Sequence, residues 1–110
     1  MNAGKTGYIK SNGADDYFVK STYKGENKIM TLKDTVEMMN SDDYKERFKA
    51  EYLQAKIRYD KLDAMTIKYE AGTLNFTPSC SLELLKEQKK YMGNYIRTLK
   101  IRAEIEKIEL

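Results

Sequence analysis

The chain has 110 residues, enough for one domain or one core plus an arm. Charged residues make up 34% and apolar ones 41%, and no apolar run approaches the length of a membrane-spanning helix, which excludes that class. The net charge of +3 falls short of a committed nucleic-acid binder; one cysteine excludes an internal disulfide, and the lack of histidine excludes Cys–His and Ser–His nucleophilic pairs.

Residues 1–30 read as a variable N-terminal arm or a small β-hairpin, and residues 31–110 as a helical domain. The opening MNAGKTGYIK lacks the apolar stretch of a secretory leader, so a cytoplasmic location is expected. Its Gly4-Lys5-Thr6 resembles part of a phosphate loop. The earlier glycine of that motif and the strand before it are missing, so the match reads as chance. Gly7–Lys10 and Tyr17–Tyr23 are the candidate strands, joined through Ser11–Asp16 with a turn at Asn12-Gly13. A two-stranded hairpin is marginal in water, so it needs a helix or another chain to lie on. A flexible arm is the alternative.

Thr31-Leu32-Lys33-Asp34 marks a helix start, with Thr31 as cap and Asp34 in the place of the usual capping-box glutamate. This short helix should cover about 32–39. Ser41 is the expected cap of a much longer helix over about 42–71, ended by Gly72. Phe48, Tyr52, Ala55, Tyr59, Leu62, Thr66 and Tyr69 recur at steps of four and three, which winds one apolar stripe along it. Leu74 and Phe76 in the following loop should plug the end of a hairpin, and Pro78 stiffens the turn. A second long helix over about 82–108, capped by Ser79 or Ser81, carries Leu82, Leu85, Met92, Ile96, Leu99 and Ala103 at the same spacing. Leu84, Tyr91 and Tyr95 widen that stripe, and Ile101, Ile105 and Ile108 open another.

The expected fold is therefore mostly α: an antiparallel hairpin of long helices preceded by a short helix. Folding at the 72–81 loop sets Leu62 near Tyr91 or Met92, Tyr59 near Tyr95, and Ala55 near Leu99. Tyr52, Tyr59, Leu62, Tyr91, Met92, Ile96 and Leu99 form the expected core or self-association surface. Apolar groups cover more than one face of both helices, so either the front segment closes over them or another subunit does; a homo-oligomer is the expectation.

Chemistry is best represented on the second long helix. Lys86, Lys90, Arg97 and Lys100 fall on one face, with Gly93 in the gap and Asn94 and Tyr95 nearby. Such a row can hold a phosphate through charge-assisted hydrogen bonds, with tyrosine stacking on a base. The same residues also read as a solvated face tied by Glu83–Lys86 and Glu87–Lys90 pairs, the more ordinary use of such a row. Gly93 marks either close approach of the facing helix or room for a ligand. Gln54, Lys56, Arg58 and Lys61 accompany the tyrosines of the first long helix. No catalytic constellation, metal site or cofactor motif emerges, and a non-enzymatic protein is expected.

YKERFKAEYLQAKIRYDKL (Tyr44–Leu62), KYEAGTLNFTPSC (Lys68–Cys80) and LLKEQKKYMGNYIRTLKIRAEIEKIEL (Leu84–Leu110) resemble a crAss-phage-related family of small helical domains in phages and prophages. LKDTVEMMNSDDYK, from Leu32, is similar to its usual lead-in, so the resemblance covers 32–110. Members often carry proline after the loop cysteine and glycine at the position of Lys107; Ser81 and Lys107 depart from that pattern. No site residues follow from the resemblance. It implies a small accessory protein made by a phage inside its bacterial host. By analogy of architecture with helical sponges, it suggests a counter-defence protein that sequesters a cyclic nucleotide or other phosphorylated small molecule. An inhibitor of a host defence complex such as a CRISPR nuclease, and a structural oligomerisation module, are the other readings.

Overall fold

A computed structural model describes residues 17–23 and 26–110; the strand expected at Gly7–Lys10 and the Gly-Lys-Thr run lie outside them. The described elements are β1 (Val19–Tyr23), β2 (Glu26–Met30), α1 (Thr35–Met39), α2 (Tyr44–Ala71) and α3 (Leu82–Glu106). Twenty-eight residues of α2 make a rod of about 42 Å. That matches the 42 Å long axis of the whole molecule, and every other element packs along or beside this rod.

β1 and β2 are antiparallel, with Val19 opposite Met30 and Ser21 opposite Lys28. Among the described residues, Tyr17–Tyr23 finds its partner in the strand that follows it, which the sequence pattern does not single out; Gly7–Lys10 lies outside the described residues. Glu-Asn-Lys at the start of β2 hides its period-2 pattern, yet only Lys24 and Gly25 separate the strands, the spacing of a tight hairpin. Val19, Ser21, Tyr23 and Met30 share one face. Met30 is 3% exposed and joins the helical core, with Val19 and Tyr23 packed against it. The helices thus supply the support that a lone hairpin lacks.

Only half of the expected capping box forms: Asp34 reaches back to Thr31, but Thr31 caps no helix N–H, and Asp34 itself stands at the N-cap of α1 with no side-chain cap hydrogen bond. The Asp34 carboxylate accepts from Thr31 N at 2.8 Å and from Thr31 Oγ1 at 3.0 Å. Thr35 N donates to the Leu32 carbonyl, so a tight turn over 32–34 precedes α1 proper. Gln54 of α2 then donates through Nε2 to Thr35 Oγ1 at 2.9 Å and to Met39 Sδ at 2.8 Å, pinning α1 on α2.

α2 buries two faces. Phe48, Tyr52 and Thr66 belong to the stripe seen in the sequence and face α3. Ala50, Leu53 and Ile57, also buried, lie roughly half a turn away, on the side where Gln54 holds α1. The front segment therefore covers the back of α2. The cap of α2 is also corrected. Asp43, with extended backbone, accepts from Lys45 N at 2.9 Å, while Ser41 Oγ accepts from Asp43 N. The helix starts two residues later than expected, at Tyr44, because Asp43, not Ser41, carries the oxygen that reaches an N–H of its first turn.

Gly72, at φ 76°, ends α2, and Thr73 N donates to the Lys68 carbonyl across it. Ser81 caps α3 by accepting from Leu84 N at 3.1 Å. α3 returns antiparallel along α2. From the open end to the bend, the cross-helix pairs are Tyr44 with Arg102 and Glu106, Glu51 with Tyr95, Asp63 with Lys89, and Glu70 with Lys86. Tyr59 lies against Gly93 rather than beside Tyr95. A Cβ at Gly93 would stand 3.4 Å from Tyr59 Cε1, an ordinary contact, so α2 passes close to this glycine without excluding a methyl group there. The core gathers at the open end, where Met30, Met38, Phe48, Leu53, Ile96, Leu99, Ala103 and Ile108 meet. Leu74 and Phe76 are half-buried at the bend. Among the described residues, no helix is long and apolar enough to cross a membrane.

Candidate ligand-binding surface

The basic row of α3 does not stay together as one site. Lys86 Nζ reaches across the seam to Glu70 at 3.3 Å, not to Glu83 on its own helix. Lys90 turns its ammonium toward the Tyr91 ring, 6.0 Å from the centroid. Lys86 sits where α2 ends in an acidic side chain, whereas Lys90 makes no ion pair among the described residues.

Arg97 and Lys100 do meet. Together with Gly93, Ile96, Ile101 and Glu104 they line a surface cleft of about 310 Å³ on one flank of α3. Neither cation has an ion pair among the described residues. Glu104, one turn beyond Lys100, opposes part of their charge. Asn94 is exposed, and its carbonyl accepts from Thr98 Oγ1 at 3.0 Å.

Tyr95 is two residues before Arg97, which places it about 200° around the helix. Its hydroxyl donates to the Glu51 carboxylate of α2 on the other flank. The structure therefore separates Tyr95 from the cleft of Arg97 and Lys100. On that other flank Tyr44 Oη donates to Glu106 Oε1 at 2.7 Å and accepts from Arg102 Nη2 at 2.8 Å. The hydrogen bond to Glu106 raises the Tyr44 pKa above its ordinary value. The same bond, followed by that from Arg102, holds the Glu106 carboxyl below its own. These groups clamp the open end of the hairpin.

Of the expected core or self-association residues, Tyr52, Ile96 and Leu99 are buried, and Tyr59, Leu62 and Met92 are half-buried. Tyr91, 59% exposed, stands outside the core of the single chain. Leu62 and Met92 line one cleft, as the folded-back register requires. That cleft, about 220 Å³, also takes in Leu32, Arg58, Lys61, Met65 and Gln88. Its polar members come from two helices far apart in sequence, so no local spacing shows them as a group. Among the described residues no cluster of three or more metal-binding side chains occurs.

A short supporting helix, two long helices folded back on each other, and clefts with cationic rims define a helical-hairpin protein. The Sequestin family model matches residues 42–105, from the start of α2 to the last turn of α3. The chain belongs to the Sequestin family. The family's name denotes sequestration and is consistent with a sequestering binding protein. No curated protein and no solved structure matches the chain.

Proposed function

We propose that the protein captures an anionic nucleotide and holds it without turning it over. The observation that carries this reading is the meeting of Arg97 and Lys100 in one cleft, both without ion pairs among the described residues. A guanidinium and an ammonium offered together to solvent are suited to phosphate oxygens. Ile96 and Ile101 beside them give a flat apolar surface for a sugar or base. The family name supports sequestration, and the likeness to phage proteins supports a nucleotide alarm signal of host immunity as the captured molecule. Lys86, Lys90 and Asn94 contribute at longer range, and Tyr95 contributes only if a second copy brings its own flank to the cleft.

Calorimetry against a panel of cyclic dinucleotides, cyclic trinucleotides and cyclic ADP-ribose isomers tests the proposal. One of them should bind and be recovered chemically intact after the protein is heat-denatured. Silence across the panel, or recovery of a cleaved product, would overturn it. Arg97→Glu with Lys100→Glu should abolish binding and leave the helical circular dichroism unchanged.

A second reading has one observation in its favour. Leu84, Tyr91 and Tyr95 are exposed along one side of α3, and Ile101 and Ile105, the latter at 74%, along a neighbouring side. Apolar surface of that kind suits a protein partner, such as a host defence complex or another copy. A stoichiometric protein retained after nuclease treatment, together with a silent nucleotide panel, would favour it.

A further inference from the structure

Three elements converge on the cleft of about 220 Å³ between α2 and α3: Leu32 before α1, Arg58, Lys61, Leu62 and Met65 of α2, and Gln88 and Met92 of α3. Gln88 and Arg97 are nine positions apart, so this cleft opens about half a turn around α3 from the one beside Arg97. Its chemistry differs from that of the other large clefts. Glu104 lines the first, and Asp34 and Glu37 line the one between the β-hairpin and α1. Here the charged lining residues described are cations, and no carboxylate is among them.

Arg58 is the decisive group. Four cations on α2 and α3 are neutralised at close range, Lys56 by Asp60 at 2.6 Å, Lys89 by Asp63 at 2.8 Å, Lys86 by Glu70 and Arg102 by Glu106, whereas Arg97 and Lys100 belong to the other cleft. Arg58 is exposed and has no ion pair among the described residues. Its guanidinium offers a fork of donors that suits two oxygens of one phosphate. Below it lies a soft apolar floor. Met65 is buried and Leu62 and Met92 are half-buried, and thioether side chains pack well against aromatic rings. Gln88, exposed at the rim, can donate and accept at once, as the edge of a heterocyclic base requires.

We infer that this cleft is a seat for a phosphate-bearing planar ring: a nucleoside monophosphate, or that moiety of a larger nucleotide. The inference rests on the proposal that the chain captures nucleotides, and it adds a second place of contact. Arg58 takes the phosphate, with Lys61 beside it. The ring lies on Met65 and Met92, and Gln88 reads its edge. The cleft is below the usual size of about 300–1,000 Å³ for a complete small-molecule pocket. One moiety is therefore enclosed and the remainder of the ligand projects along α3.

The full chain labelled with ¹³C-methyl methionine reports on this directly, because Met65 and Met92 line the cleft while Met30 and Met38 are buried in the core. The probes are adenosine 5′-monophosphate, adenosine and inorganic phosphate. The monophosphate should shift the Met65 and Met92 resonances at millimolar concentration. Inorganic phosphate should perturb them less, and adenosine should bind more weakly. Arg58→Gln should weaken the monophosphate by about tenfold or more, the worth of one charge-assisted hydrogen bond. Gln88→Ala should reduce discrimination between adenine and other bases, and Arg97→Glu should leave the Met65 and Met92 shifts unchanged. Unmoved Met65 and Met92 methyls, or shifts insensitive to Arg58→Gln, would overturn the inference. Should they stay still while the calorimetric panel yields a tight ligand, this seat is refuted and the capture reading stands. Should they move while the panel is silent, the seat stands and the capture of cyclic signals falls.

Discussion

Lys107 offers the sharpest test of the fold. It follows the last turn of α3 with φ 59° and ψ 47°, the left-handed region, and it is the one non-glycine residue with positive φ among the described residues. Ile108 N donates to the Ala103 carbonyl at 2.9 Å across it, and Ile108 is buried in the core cluster with Ala103. The chain must therefore take this turn to bring Ile108 home. A side chain in that conformation costs about 1–2 kcal/mol through the clash of its Cβ with the following carbonyl. Lys107→Gly removes the clash, and the larger freedom of glycine in the unfolded chain offsets about 0.4–1 kcal/mol of the gain. The net expectation is a stabilisation of about 0.5–1 kcal/mol, or a rise of about 2–6 °C in Tm. Urea and thermal unfolding followed by circular dichroism would measure it. Lys107→Ala keeps the clash and removes the charge, so it should stay close to the parent, and Lys107→Asn should fall between Ala and Gly. A glycine variant no more stable than the alanine variant would refute the left-handed turn and with it the docking of Ile108.

Leu53→Ala removes a fully buried side chain on the second buried face of α2 and should cost about 2–5 kcal/mol. Ile105→Ala, on the exposed strip, should stay within about 0.5 kcal/mol in the monomer. Denaturant midpoints compare the two, and equal effects would contradict the two-faced packing. Gly93→Ala gains up to about 1 kcal/mol of helix propensity, because its Cβ meets the Tyr59 ring at 3.4 Å, an ordinary contact. Gly93→Leu at the same site should destabilise by overpacking, and thermal melts of the pair show both signs. The Tyr44 and Arg102 hydrogen bonds hold Glu106 below its usual pKa, so their stabilisation is present above the unfolded carboxylate value and lost as pH falls through the folded one. Lys89 has its pKa raised, first by its hydrogen bond to Asp63, so that contribution is present below the unfolded lysine value and lost as pH rises through the folded one. Glu106→Gln should flatten the acid limb of a stability–pH profile, and Lys89→Met the alkaline limb.

The long helices were legible because each carries a complete set of local signals. Apolar steps of three and four, a Gly72 stop and a Ser81 cap agree with one another, and α2 and α3 fall within a few residues of their expected limits. The second buried face of α2 was not legible. Ala50, Leu53 and Ile57 also step by three and four, but Lys49, Lys56 and Arg58 interleave with them. A helix buried on two opposite sides spreads its apolar residues around the axis and blurs the stripe by which amphipathic helices are recognised. The same blurring made the chain look short of partners. Part of the surplus apolar surface is absorbed by α1 and by Met30 of β2, and the remainder is the exposed strip on α3.

The candidate site was legible in composition and not in arrangement. Spacing places Lys86, Lys90, Arg97 and Lys100 on one side of a helix, but a cation's availability depends on what lies across the seam. Register decides that. Glu70 meets Lys86, and Asp63 meets Lys89, because the bend between Gly72 and Ser81 sets those levels opposite each other. Among the described residues, no carboxylate ion pair reaches Arg97 or Lys100 farther along α3, nor Arg58 on the side of α2 between its two buried faces. Capacity to hold an anion is thus a remainder: the cations that the folded register leaves without partners. A change that shifts the register, such as one residue inserted into the 73–80 loop, should therefore move the affinity for phosphorylated ligands even though it alters no cation. Arg58 and Arg97 would gain or lose acidic neighbours together, whereas Thr77→Ala, an exposed change in the same loop that keeps its length, should leave binding intact.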